Sequence, residues 1–388
     1  MKIKTANRIA TVKEYYFSKK LREIALLNAQ NKDIINLGIG SPDLIPNDAV
    51  ISSLIISAQN PNNHSYQSYK GIPELRKAIS NWYKTTYDVE LDAAQEILPL
   101  LGSKEGIMHI SMTYLNPGDE VLIPDPAYPT YASAANLAGG KVVKYDLDEA
   151  NNWHPSIEKL KALITDRTKL IWLNYPNMPT GKQANLKLLE KVIALAKAHN
   201  ILVCNDNPYS LTLNDNEPTS IFQISGAKEI ALELNSLSKS HNMAGWRLGW
   251  VSGNEARINE ILKFKSNMDS GMFLPIQHAA ITALNLDQSC YEANNNIYKK
   301  RRVLVWELLD VLECTYDKKQ VGMFVWAKMP SKIIDSGTFS DIILYNTHVF
   351  ITPGIIFGNN GNQHIRISLC NSEEIIHKAI TRIKKFMI

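Results

Sequence analysis

The 388-residue sequence has few cysteines, no long apolar run and no large excess of either charge. No segment is apolar for the roughly twenty residues that a membrane-spanning helix needs. The start, Met1-Lys-Ile-Lys-Thr-Ala-Asn-Arg-Ile-Ala10, has no apolar core of the signal-peptide kind, so a cytoplasmic location is expected and a membrane is not. A formal net charge of +4, with no basic cluster interleaved with aromatics, gives no reason to expect a nucleic-acid partner. Cys204, Cys290, Cys314 and Cys370 are scattered without a CxxC pair and read as reduced packing residues. The histidines show neither HExxH nor another ligand spacing, so no metal site is expected. Gly38-Ile-Gly40 runs directly into Ser41-Pro42 and lacks the third glycine and helix of a dinucleotide fingerprint. With GxxxxGK[ST] also missing, a generic nucleotide-binding protein is a poor reading.

What is present is a 45% hydrophobic chain long enough for a large core and two lobes. From about Ile97 to Val251, short β-rich runs alternate with helical patterns. Ile97–Leu101, Glu120–Pro124, Leu170–Asn174 and Ile201–Asn205 are the strands. Helical segments begin near Lys104, run through Tyr131 and Ala135, and recur around Leu188 to Ala196. This alternation predicts an α/β fold with a mostly parallel sheet flanked by helices. A smaller α+β domain drawn from both chain ends is expected beside it. It includes a helix over Tyr298–Leu312 and strands at Gly322–Trp326 and His364–Ser368. The expected division is 1–45 (arm and part of the small domain), 46–284 (large domain) and 285–388 (small domain). The polar stretch Asn207–Thr219 reads as a surface loop.

Lys239 lies in Leu234-Asn-Ser-Leu-Ser-Lys239-Ser-His-Asn-Met-Ala-Gly-Trp-Arg247-Leu-Gly-Trp250, after one strand-like run and before another. A lysine that holds pyridoxal 5'-phosphate as a Schiff base must be neutral to attack, which requires desolvation or a nearby cation. Ser236, Ser238 and Arg247 supply hydroxyls and a guanidinium suited to the cofactor's phosphate. Asp206, at the end of a buried run, suits a protonated pyridine nitrogen, and Tyr209 suits the phenolate oxygen. Gly102-Ser103-Lys104 joins strand to helix, where free N–H groups bind phosphate. Tyr128 has the placement to stack on a ring, or simply to pack. Asn174, Gly102, Asp206 and Ser236 all fall at the ends of strand-like runs, where ligands of such sheets bind. Arg366, on an alternating strand, suits a substrate carboxylate or an exposed position.

With these residues in hand, the chain resembles the fold-type I pyridoxal-phosphate aminotransferases of class I/II. The matched segments run in the family's order: Ile39-Gly40-Ser-Pro-Asp43, Tyr66-Gln-Ser-Tyr-Lys-Gly71-Ile-Pro-Glu-Leu-Arg76, Gly102-Ser-Lys104, Asn174-Tyr-Pro-Asn-Met-Pro-Thr-Gly181, Asp206-Asn-Pro-Tyr209, the Lys239 stretch and His364-Ile-Arg366-Ile. The stretch Lys265 to Phe273, with Gln277, is similar to the branch containing LL-diaminopimelate aminotransferases. The resemblance implies that Lys239 forms the Schiff base and shuttles the proton, with Asp206 and Tyr209 on the ring and Tyr128 stacked on it. It implies Ser103, Lys104, Ser236, Ser238 and Arg247 around the phosphate, with Asn174 among the cofactor contacts. Gly40 and Arg366 would take the α-carboxylate. Tyr66 would reach the neighbouring subunit's phosphate, so a homodimer with shared sites is implied. One departure stands out: Met178 replaces an asparagine that donates to the cofactor's phenolate oxygen in the family. A thioether cannot donate, so the change should shift the Schiff base pKa, and Asn174 or Asn177 are the candidates to compensate.

The expected activity is ping-pong amino transfer between an L-amino acid and a 2-oxo acid, with 2-oxoglutarate and glutamate as one pair. A C–S β-lyase on the same fold is the alternative. A non-catalytic regulatory protein is a third reading, disfavoured by the complete residue set. Tyr15, Tyr16, Phe17, Phe273 and Met178 are candidate substrate-lining residues, and equally suit core or interface.

Overall fold

The computed structural model describes residues 3–183 and 185–387. Its strands begin with β1 (Ile35–Asn36), β2 (Ile97–Leu100), β3 (Glu120–Asp125), β4 (Lys141–Asp146) and β5 (Thr168–Asn174). They continue with β6 (Leu202–Asp206), β7 (Ala231–Ser236), β8 (Gly249–Ser252), β9 (Thr315–Tyr316) and β10 (Phe324–Lys328). The last are β11 (Val349–Phe350), β12 (Thr352–Pro353) and β13 (His364–Ser368). The seven-stranded sheet has the order β2-β8-β7-β6-β5-β3-β4, and only β8 runs against its neighbours. A four-stranded antiparallel sheet, β12-β13-β10-β9, lies apart from it. β1 pairs in parallel with β11, tying the two ends of the chain together.

Every residue of β6 and β7 is buried, as expected of strands covered on both faces. Alternation sends successive side chains to opposite sides. Leu202, Cys204, Leu232 and Leu234 pack with Ile107, Ile110, Ile258 and Ile261 from helices Ser103–Tyr114 and Glu255–Lys265. Val203 and Ala231 belong to the core on the other face, with Ile79, Tyr83, Leu189 and Val192 from helices Pro73–Tyr87 and Leu186–His199. The smaller sheet rests on Val305, Leu308, Phe339, Ile343, Ile376 and Ile380 of three further helices.

Several expectations shift. The helix placed over Tyr298–Leu312 begins ten residues earlier, at Gln288, and ends at Val311. Its first turns are polar and rich in asparagine, so they carry no apolar stripe to mark a helix. The strand expected at Gly322–Trp326 starts at Phe324, because Gly322 sits at a φ of +86° in a turn. β4 is an edge strand with lysines at Lys141 and Lys144, a pattern that blunts an edge and hides its strand character. The stretch Asn207–Thr219 is not a surface loop along its length. Asn207, Tyr209, Ser210, Thr212 and Leu213 are buried, and exposure is confined to Asp215–Glu217.

Leu232 is fully buried in a central strand. Leu232→Ala should therefore lower stability by about 2–5 kcal/mol, measured as a reduced urea midpoint with unchanged slope.

Candidate active site

Parallel strands deliver their carboxyl ends to one edge of the sheet, and there a cavity of about 180 Å³ opens. β5 contributes Asn174, β6 leads into Asp206 and Tyr209, and β7 leads into Ser236, Ser238 and Lys239. Ser103 and Lys104 arrive after β2, and Tyr128 after β3. Arg247 comes from just before β8; that strand is antiparallel, so its start lies at the same edge. Eleven of the residues picked out in the sequence, Met178 among them, thus line one cavity together with Tyr131, Pro208 and Ala244.

At one end lies the start of helix Ser103–Tyr114, capped by Gly102 at a φ of +89°. That φ is one a side-chain-bearing residue rarely adopts, and a Cβ at Gly102 would also push the Arg247 guanidinium aside. Arg247 is steered by donating to the carbonyls of Ala244 (2.9 Å) and Leu101 (3.3 Å). The unpaired N–H groups of the helix start, the three serines and Arg247 form a cradle for an anion.

At the other end lies Asp206, buried at 5% exposure. Its Oδ2 accepts from Tyr131 Oη at 2.9 Å, whereas its Oδ1 is buried with no partner. Burial pushes its pKa up to about 7, against the pull of the Tyr131 hydrogen bond and Lys239. Lys239 is shifted the other way. Loss of hydration brings it down to about 8, with Arg366 and Arg247 adding like-charge repulsion. Its Nζ donates to Gly40 O at 2.7 Å. The site therefore holds an amine that gives up its proton more readily than in water and a carboxylate oxygen without a partner.

Arg366 is buried at 4% exposure, which rules out the exposed-strand reading. Its guanidinium lies against the rings of Phe324 (3.9 Å), Phe357 (4.8 Å) and Phe17 (5.5 Å). It donates to Gly38 O at 2.7 Å and meets the Met178 sulfur at 3.2 Å. Burial lowers its pKa to about 10. Gly40 packs on Phe324 so closely that a Cβ would overlap the ring. Of the lining candidates, Phe17 and Met178 reach this apolar cluster, with Tyr15 and Tyr16 packed against it. Phe273 instead is exposed and packs near His64.

Asn174 is tied up structurally, since its Nδ2 donates to Asp206 O (2.7 Å) and its Oδ1 accepts from Met178 N (2.8 Å). It braces the strand ends, which leaves one Nδ2 hydrogen for any further contact. Tyr66, expected to serve a neighbouring subunit, is 90% exposed and does not line the cavity of its own chain. Tyr131 was missed as a site residue. Its ring stacks on Trp172 at 4.9 Å and its hydroxyl holds Asp206. The available signal was its position three residues after Tyr128 at a helix start.

A model of the family described as aminotransferase class I and II matches residues 32–383. The chain belongs to that family. It is 39% identical over 382 residues to an LL-diaminopimelate aminotransferase of Dehalococcoides mccartyi, covering 98% of both chains. A second so named, from Maridesulfovibrio salexigens, is 40% identical over 384 residues, covering 98% of this chain and 99% of that one. Among solved structures, substrate-bound BacF from Bacillus subtilis superposes with a TM-score of 0.95 at 35% identity, covering 100% of this chain and 98% of that one. A Pyrococcus horikoshii aromatic aminotransferase gives 0.89 at 29% identity, covering 98% and 97%. The protein is a pyridoxal-phosphate-dependent aminotransferase, and a lyase reading is not favoured.

Without cofactor, Asp206 binds its proton more tightly folded than unfolded, so between about pH 4 and 7 its contribution to stability falls as pH rises. Cofactor-free Asp206→Asn should therefore melt several degrees above the wild type at pH 8, with the gap closing towards pH 4. Calorimetry across that range checks the slope.

Proposed function

We propose that the enzyme transfers the amino group of an L-amino acid to a 2-oxo acid, with 2-oxoglutarate and glutamate as one pair, through the cavity at Lys239. The observation that carries this is the unpartnered Oδ1 of buried Asp206, which shares a cavity with a lysine depressed to about 8 and an anion cradle. Pyridoxal phosphate fits these residues: its phosphate suits Ser103, Lys104, Ser236, Ser238 and Arg247, and its ring nitrogen suits Asp206. When bound, it supplies a sink for electrons released at the substrate's α-carbon.

The chain's own groups do the rest. Lys239 Nζ would hold the cofactor's aldehyde end, and its amine would take and return the substrate's α-proton. Asp206, with its unpartnered Oδ1, would keep a proton on the ring nitrogen. Tyr209 would donate to the phenolate oxygen, and Tyr128 would lie against the ring. Arg366 and Gly40 receive the α-carboxylate of both acids, so one site serves the two halves of a ping-pong cycle. The rings and thioether around Arg366 exclude water and strengthen its hold on an anion. We infer a two-fold homodimer working in the cytoplasm, in which exposed Tyr66 serves the neighbouring subunit's phosphate.

Absorbance of cofactor-loaded protein during single additions of L-amino acids, including LL-diaminopimelate and glutamate, tests the reaction. Loss of the lysine-bound cofactor band with stoichiometric 2-oxo acid is expected. Pyruvate and ammonia from cysteine conjugates, with the band retained, would instead mean a lyase, and no band would remove Lys239 from the role. Met178→Asn restores a donor beside the phenolate and should lower the pH midpoint of that band. An unchanged midpoint would take Met178 out of contact with the cofactor.

A further inference from the structure

Glu233 is a carboxylate that the proposed chemistry does not use. It lies fully buried on β7, on the sheet face opposite Asp206, inside the core built by helix Pro73–Tyr87. Burial pushes its pKa up, and hydrogen bonds from its neighbours oppose the shift. A buried carboxylate is costly to desolvate and is tolerated where several donors converge on it. Here five neutral groups do so. Ser220 Oγ (2.7 Å) and Tyr83 Oη (3.2 Å) donate to Oε1. Asn205 Nδ2 (2.8 Å), Ile221 N (3.0 Å) and, at 3.5 Å, Asn207 Nδ2 donate to Oε2.

The origin of these donors matters. Asn205 and Asn207 flank Asp206, while Ser220 and Ile221 close the strap that leaves β6 and carries Tyr209. Glu233 therefore grips both ends of the strap at once. Two further bonds hold it, because Tyr87 Oη bonds Ser210 Oγ at 2.6 Å near its start and Asn207 Nδ2 donates to Thr219 O at 2.9 Å across its two ends. Ser210 is the residue next to Tyr209. An apolar side chain at 233 would fill the space but leave the Asn205 amide and the Ile221 N–H without acceptors.

We propose that Glu233 is a positioning residue, which sets the place of the Asp206–Tyr209 segment, and so of the Tyr209 hydroxyl, from the far side of the sheet. The placement stands on geometry alone; its effect on the cofactor rests on the function proposed above.

Two readouts test it on Glu233→Ala and Glu233→Gln. Amide exchange within 207–221 should become about tenfold faster in Glu233→Ala while β5 is unchanged, with partial rescue in Glu233→Gln. In the loaded enzyme, the pH midpoint of the lysine-bound band should rise in Glu233→Ala, as in Tyr209→Phe. On the Tyr209→Phe background, Glu233→Ala should add nothing further. Unchanged exchange would overturn the proposal, and so would a midpoint shift that adds in full on that background. Should Glu233→Ala not fold, Ser220→Ala and Tyr87→Phe each remove one tie, and the proposal fails if neither moves the exchange or the midpoint. A wild type without the band would sink the proposed function and leave the exchange to decide the placement.

Discussion

The parallel pairing of β5, β6 and β7 is the constraint on which the site depends. In register, Asn174 stands beside Asp206, and Asp206 beside Leu234. This brings residues far apart in the chain to one edge, and the Asn174 side chain locks the match by donating to the Asp206 carbonyl. A slip by one residue would turn Asp206 to the opposite face and aim Asn205 or Asn207 into the cavity. The two faces have separate tasks. One carries Asp206 and Tyr131, and the other carries the Glu233 cluster.

The second organising feature is opposed strain on charge. Burial moves Asp206 up to about 7, Lys239 down to about 8 and Arg366 down to about 10. Each group is less hydrated than it would be in water, so Asp206 and Arg366 gain from a ligand that brings the complementary charge, and Lys239 from an electrophile that bonds its neutral amine. Pyridoxal phosphate and an α-carboxylate would bring all three: a ring cation, an anion and an uncharged aldehyde. The cavity costs the cofactor-free fold something, and the ligands relieve it.

Much of the site was legible because its residues sit beside strands that read clearly. Lys239, Asp206 and Ser103 each follow a short apolar run, and a buried strand end has few uses for such groups other than binding. Residues whose roles depend on a partner from elsewhere were not legible. Tyr131 looks like any helical aromatic until Asp206 meets its hydroxyl. Asn174 looks like a ligand-facing amide until its two ends are found bonded to backbone. The polar composition of Asn207–Thr219 suggests solvent, but its acceptor is a carboxylate on another strand. The asparagine-rich start of helix Gln288–Val311 lacks an apolar stripe, so packing rather than pattern reveals it.

The sequence by itself determined the strand–helix alternation, the residue types at the strand ends and, through Met178, a departure from the family's usual donor set. These are local properties, set by periodicity and by the chemistry of single side chains. Tertiary structure decided which charges lose their water, which amides are consumed by bracing, and that Arg366 is walled by three aromatic rings and a thioether. Burial and hydrogen-bond partnership join residues as far apart in the chain as Gly38 and Arg366, so no window of sequence contains them.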